Sequence, residues 1–137
     1  MQYYAIFGIM ISDAEPLKPL FWVASSKEDL KDFPLDARQI MGFALFQAQV
    51  GGKHANAKPL KGFGGAGVLE ISEHERGSTF RAVYTVKFID AVYVLHAFQK
   101  KSKTGVKTPR AELDLISKRL KVAEEHYDKW RANRDEA

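Results

Sequence analysis

The chain has 137 residues, of which 45% are hydrophobic and 28% are charged, and its formal net charge is +4. A chain of this length and composition folds as a single domain around its own core. The absence of cysteine excludes disulfides, thiolate metal sites and cysteine nucleophiles. The first residues lack a basic segment, and their apolar run is too short to span a bilayer, so we expect no signal peptide, no transmembrane helix and a cytoplasmic location.

Positive charge is concentrated in two segments, residues 37–69 and residues 91–111, which together carry nine lysines and arginines and no acid. If the fold brings these segments together, they form a positive surface suited to a polyanion. The alternative is a pair of solvated loops, because charge clustering alone does not identify a partner.

The first eighteen residues are predicted to form an N-terminal extension, with an arm or an extra strand between Tyr3 and Ile11. Residues 20–24 read as the first strand of the main domain, since they are apolar and aromatic and follow a proline. Ser26 with Asp29 three residues later resembles a capping box, which predicts that a helix begins at Ser26.

A second helix is predicted from about Pro34 to Val50, ended by Gly51 and Gly52. Its apolar residues cover more than one stripe, so we expect it to be packed on much of its surface. A polar, glycine-rich connection from Lys53 to Gly67 follows.

Three strands are predicted next, the first at residues 68–72. The runs 79–88 and 91–98 are rich in Val, Tyr, Phe and Thr and are separated only by Ile89 and Asp90. Such runs predict an antiparallel hairpin with a very short link.

The last predicted helix has Thr108 as its cap and Pro109 at its first position, followed by one apolar seam and a polar tail at residues 131–137. The predicted order is therefore β-α-α-β-β-β-α over residues 19–130. This is an α+β fold in which a small, mainly antiparallel sheet packs against helices.

Two possible ligand motifs are rejected. Gly62–Gly67 has the spacing G-x-G-x-x-G, but it follows a helix and precedes a strand, whereas a dinucleotide site needs the opposite order. We interpret it as a loop with unusual backbone angles. The four histidines form no His-x-x-x-His pair, so no metal site is predicted.

Arg81 lies in the middle of a predicted strand between apolar residues, where a charge must be paired or solvated in a groove. A planar guanidinium suits a phosphate, and the alternative is an ion pair with Glu70 on the next strand. In a solvated groove, Arg81→Ala would cost little stability. Strand alternation places His96 on one face with Val92, Val94 and Phe98, although a lone histidine is more often a core residue.

The segments 59–70, 80–84 and 94–102, with Thr108 and Pro109, together resemble the RelE/HigB toxins, and more narrowly their phage-derived HigB-like branch. The resemblance covers about residues 19–127. It implies an α+β toxin that needs no cofactor or metal, cleaves messenger RNA, usually on the translating ribosome, and is neutralised by a cognate antitoxin. The ribose 2′-hydroxyl attacks the adjacent phosphate, which requires a base, cations and an acid.

By this resemblance, Arg81 would stabilise the phosphate. Lys100 or Lys101, at the end of the last strand, would supply further cations or transfer protons. His96 and Glu70 are the remaining candidates for the base.

The resemblance also suggests residues that hold RNA. Lys58 or Lys61 in the loop would add positive charge, and so would Lys103. Tyr84 or Phe98 could stack on a base. Two alternatives stay open: the related ParE branch poisons DNA gyrase and cuts no RNA, and a phage-derived relative could keep the fold without activity.

Overall fold

The structure is a computed structural model that describes residues 3–6, 9–12, 17–65, 67–100 and 108–136. Near the start, strands β1 (Tyr3–Ile6) and β2 (Ile9–Ser12) pair with each other as an antiparallel two-stranded sheet. The predicted extension therefore contains two strands. Its boundary as a separate domain stays a prediction.

The main sheet has five strands in the spatial order β3-β7-β6-β5-β4. They are β3 (Leu20–Trp22), β4 (Lys58–Pro59), β5 (Val68–Glu75), β6 (Ser78–Thr85) and β7 (Val92–Lys100). Strand β3 runs parallel to β7, and the other neighbours are antiparallel, so the sheet is open and mixed. The short strand β4 and the parallel pairing were not predicted.

In the described part of the chain, three helices accompany this sheet: α1 (Ser26–Lys31), α2 (Leu35–Gln49) and α3 (Arg110–Glu136). The α+β class is confirmed, as are the paired helices and the final helix. None of the helices in the described ranges has an apolar stretch long enough to cross a membrane.

The sheet separates two cores. On one face, Met41 and Leu45 of α2 pack with Ile71 and Val94. On the other face, the apolar seam of α3 packs against β6 and β7; its buried members are Ile116, Leu120, Ala123 and Tyr127. Each core buries aromatic and aliphatic side chains, which supply most of the stabilisation.

The link between β6 and β7 is longer than predicted. Strand β6 ends at Thr85, and residues 86–91 form an irregular connection. There Val86 donates its N–H to the carbonyl of Gly67, and Lys87 donates its N–H to the Thr85 hydroxyl. Phe88 leaves the sheet and stacks on Tyr127 of α3 with ring centroids 4.3 Å apart. Burying this ring against α3 takes precedence over extending the strand.

The loop of Gly62–Gly67 serves backbone geometry, as interpreted from the sequence. Gly62, Gly65 and Gly67 all have positive φ. A Cβ at Gly67 would lie 2.9 Å from the backbone nitrogen of Lys87, so this glycine also allows a close approach of two chain segments.

A β-bulge in β7 changes the predicted facing of its residues. Val83 lies opposite His96, but the next residue of β6, Tyr84, lies opposite Val94, so Leu95 is extra. The prediction that Val92 and Val94 share a face with His96 is therefore wrong. Val92 and Val94 face α1 and α2, whereas His96 faces α3.

The predicted capping box at Ser26 is also wrong. Ser25 is the N-cap of α1, and its hydroxyl donates to Asp29 rather than to the backbone. The Ser26 hydroxyl is buried and donates to the carbonyl of Val94, 3.3 Å away. The helix does begin at Ser26, as predicted, but the hydroxyl of this serine ties α1 to the sheet instead of capping the helix.

Candidate active site

Arg81 of β6 forms an ion pair with Glu70 of β5, with 2.6 Å between Nη1 and Oε1. The two residues are diagonal neighbours, because Arg81 lies opposite Ser72 and Glu70 lies opposite Val83. The Arg81 residue is only 3% exposed. The ion pair that the sequence left as an alternative is therefore present, and the expectation of a solvated groove arginine is wrong.

The second oxygen of the same carboxylate is also bonded. Thr108 donates its hydroxyl to Oε2 of Glu70 at 2.6 Å. Helix α3 begins at Arg110, two residues after Thr108, and its first described bond runs from the Leu113 N–H to the Pro109 carbonyl. The predicted cap thus gives its hydroxyl proton to the sheet, and Glu70 joins β5 to the start of α3.

His96 of β7 is held by two residues of α3. Its Nε2 contacts Oε2 of Glu112, and its Nδ1 lies 3.1 Å from Nη1 of Arg119. The ring stacks on Phe98 with centroids 4.8 Å apart and an interplanar angle of 18°. His96 is 6% exposed, so both its position and its ring orientation are set by packing.

These groups lie on one face of the sheet. Glu70, Val83 and His96 stand opposite one another on β5, β6 and β7, and Arg81 stands opposite Phe98 in a neighbouring row. Two strand spacings separate the Cα atoms of Glu70 and His96 by about 10 Å. A carboxylate, a guanidinium and an imidazole are thus brought together under the first turns of α3.

Two of the predicted cations, Lys58 and Lys100, lie on strands that carry or flank this cluster. Lys100 is opposite Thr79 at the end of β7, and Lys58 is opposite Glu70 on the edge strand β4. Lys58 and Lys61 are exposed. Lys101 and Lys103 lie outside the residues that the structure describes.

Tyr84 does not belong to the cluster. Its side chain points to the other face of the sheet, is 0% exposed and packs in the core with α2. Desolvation by this burial raises the pKa of Tyr84 to about 12. A nucleic-acid base would have to pass through a packed core to reach this ring, so the predicted stacking role of Tyr84 is wrong. Phe98, the other predicted stacking residue, is only partly buried.

Three residues at or near the start of α3 contact the cluster and were not predicted to do so. Thr108 donates a hydrogen bond to Glu70, and Glu112 and Arg119 contact His96. Thr108 and Glu112 are four residues apart, and Glu112 and Arg119 are seven apart, so all three are spaced to follow one side of a helix. They border the apolar seam that was predicted correctly. Polar residues beside a seam were the available signal, but such positions are more often solvated.

No group of three or more metal-ligating side chains occurs in the part of the chain that the structure describes. The cluster therefore offers acid–base and hydrogen-bonding groups rather than a set of metal ligands. A carboxylate and an imidazole can transfer protons, and a guanidinium can hold an anion.

A known protein family matches a segment of the chain that contains all the residues of this cluster. Residues 28–121 match the family described as phage-derived Gp49-like proteins (DUF891). No curated protein and no solved structure gives a significant match. The matched segment contains more than half of the chain and runs from α1 into α3, through Glu70, Arg81, His96 and Arg119. The chain belongs to the Gp49-like family of phage-derived proteins, which is a RelE-type, toxin-like family.

Proposed function

We propose that the protein is the HigB-like toxin of a toxin–antitoxin pair and that it cleaves messenger RNA during translation, without a metal, until a cognate antitoxin binds it. The observation that carries this proposal is the placement of Glu70, Arg81 and His96 on adjacent strands of one sheet face. Family membership supports the toxin-like part of the proposal.

In the proposed reaction, Glu70 is the general base. Its carboxylate takes the proton of the ribose 2′-hydroxyl while O2′ forms a bond to phosphorus. The bond from phosphorus to O5′ breaks, and O5′ takes a proton from an ammonium group at the end of β7, where Lys100 lies. The products are a 2′,3′-cyclic phosphate and a 5′-hydroxyl, and solvent exchange restores both side chains.

Arg81 suits this reaction in two ways. Its guanidinium contacts Glu70 directly, so it holds the carboxylate in one orientation. It also places a positive charge beside the position where the phosphorane would gain negative charge. Strands β5 and β7 are two strand spacings, or roughly 10 Å, apart. This distance gives space for one phosphodiester between the base on β5 and the groups on β7.

The substrate would have to displace the start of α3. Thr108 is bonded to Glu70, and Glu112 contacts His96, so both residues occupy positions that an RNA backbone would need. The exposed Lys58 of β4 and Lys61 would bind the RNA first. The proposed site is therefore closed in the free protein and opens when RNA binds.

A second candidate function is favoured by the burial of Arg81. An arginine that is 3% exposed and paired with a carboxylate has the properties of a structural residue. The protein would then be a toxin-like binding protein on the same fold, such as a ParE-like gyrase poison, or an inactive phage-derived relative.

Expression of the chain alone, followed by mapping of transcript ends, separates these candidates. We expect growth arrest and new RNA ends with 5′-hydroxyl and 2′,3′-cyclic phosphate groups, and loss of both with Glu70→Gln. Glu73→Gln is the matched control, because Glu73 lies on the same strand opposite Phe80 and faces the other core. Growth arrest with intact transcripts and altered DNA supercoiling would favour the gyrase poison. No growth effect would favour the inactive relative.

A further inference from the structure

The hydrogen bonds of His96 determine where its proton lies. An arginine guanidinium only donates hydrogen bonds, so Nδ1 of His96 must accept the bond from Nη1 of Arg119. The ring proton is then on Nε2, which donates to the carboxylate of Glu112. An imidazolium would place an N–H against the guanidinium, and the other tautomer would do the same.

Arg119 is itself fixed by other contacts. Its Nη1 also donates to the carbonyl of Leu95, the bulge residue, at 3.0 Å, and its Nη2 lies 3.4 Å from the Ser25 hydroxyl. The guanidinium therefore bridges α3, β7 and the start of α1. These contacts hold the guanidinium of Arg119 against Nδ1 of His96 without the help of a ligand.

We propose that Arg119 is a positioning residue that keeps His96 as a neutral imidazole with its proton on Nε2, so that His96 donates a hydrogen bond to the phosphate and is neither the base nor the acid. This inference rests on the proposed RNA cleavage. With Nδ1 occupied by a donor, His96 has no lone pair for the 2′-hydroxyl proton. Giving up the Nε2 proton would leave an imidazolate, which is a poor outcome near pH 7, whereas neutral histidine is an effective electrophile.

Glu112 shows which atom would face the substrate. Its carboxylate places an anionic oxygen against Nε2 of His96, and a non-bridging phosphate oxygen has the same charge and the same acceptor character. The Glu112 side chain is 31% exposed, whereas Arg119 is anchored at several atoms. On RNA binding, the phosphate would replace Glu112, and Arg119 would stay.

The inference is tested first in the free protein, without RNA, by long-range proton–nitrogen NMR of the His96 ring at pH 7. We expect one protonated nitrogen at Nε2 and one unprotonated nitrogen at Nδ1. In Arg119→Met the nitrogens should move toward a mixture of forms, and Arg119→Lys should restore part of the wild-type pattern. Arg131→Met is the matched control. Arg131 also lies on α3, but farther from its start, and it pairs with Asp90 of the β6–β7 connection rather than with His96.

Two protonated nitrogens, or a proton on Nδ1, in the wild type would overturn the inference whether or not the protein cuts RNA. RNA cleavage provides the second readout: Arg119→Met should lower kcat roughly tenfold to hundredfold with a smaller change in KM, as for the loss of an aligned donor. A variant with a changed tautomer and wild-type cleavage would also overturn it. If no RNA is cut by any form, the proposed function fails while the NMR result still decides the role of Arg119.

Discussion

The two faces of the main sheet bury different chemistry. The face toward α1 and α2 is filled with apolar side chains, and its one buried phenol, Tyr84, has no hydrogen-bond partner among the described residues. The face toward α3 is apolar around Tyr93 and Ile116, but near the start of α3 it buries Arg81 and His96. A buried ion pair contributes little net stability compared with apolar packing. The first face therefore stabilises the fold, whereas the polar half of the second is the place to look for function.

The largest expected effect is on the polar half. Arg81→Ala should lower the free energy of unfolding by about 3–5 kcal/mol, because it leaves the Glu70 charge largely buried without its partner. Combining Glu70→Gln with Arg81→Met should restore most of the loss. Urea unfolding of wild type, Arg81→Ala and the double variant measures these free energies. If Arg81→Ala were as stable as wild type, Arg81 would be solvated, as expected from the sequence.

A substitution on the apolar face should reduce stability without altering the chemistry. Met41 is 0% exposed, so Met41→Ala should cost about 2–4 kcal/mol through lost packing and a cavity. RNA cleavage per folded molecule should not change. Thermal unfolding and a cleavage assay below the melting transition check both statements, and a specific loss of cleavage would contradict the division between the two faces.

A smaller effect is expected at the start of α3. Glu112→Gln should strengthen RNA binding a few-fold, because it removes a negative charge that competes with phosphate for His96. Asp114→Asn makes the same charge change on the same helix at a side chain that is 66% exposed. Filter-binding titrations at two salt concentrations compare them. Equal gains from both variants would indicate general electrostatics rather than competition at His96.

The smallest expected effect is on stability at alkaline pH, where one buried tyrosine from each face of the sheet can be compared. Burial raises the pKa of both Tyr84 and Tyr93 from 10.0 to about 12. A raised pKa gives stability that is fully present below pH 10 and is lost as the pH rises toward 12, because the unfolded chain ionises first. Tyr84→Phe should reduce this alkaline loss at little cost, since its hydroxyl has no described partner, whereas Tyr93→Phe also loses the 2.6 Å bond to His126. Unfolding followed from pH 8 to pH 11 tests the difference, and an equal cost at neutral pH would contradict it.

The sequence predicted the elements whose patterns are local. The proline before it and the glycines after it placed α2, periodicity placed the seam of α3, and the aromatic and β-branched runs placed β6 and β7. The composition of β6 also identified Arg81 as unusual, and Glu70 was named as its possible partner. These predictions succeeded because each depends on residues close together in the chain.

The parts that failed depend on contacts between distant segments. The Thr108 hydroxyl donates to Glu70, which lies 38 residues away in the chain and comes within reach only in the folded sheet. The contact of Arg119 with His96 spans 23 residues. The bulge at Leu95 depends on how β7 aligns with β6, which no property of β7 alone determines.

That bulge also decides the sidedness of the whole end of β7. Val83 lies opposite His96 and Tyr84 lies opposite Val94, so a deletion of Leu95 would leave these pairs and their facing unchanged. A regular strand that kept all its residues would instead turn the imidazole, the Phe98 ring and the Lys100 ammonium toward α2. The extra residue is therefore what allows an evenly alternating sequence to present these groups to α3 while Val92 and Val94 stay in the core with α2.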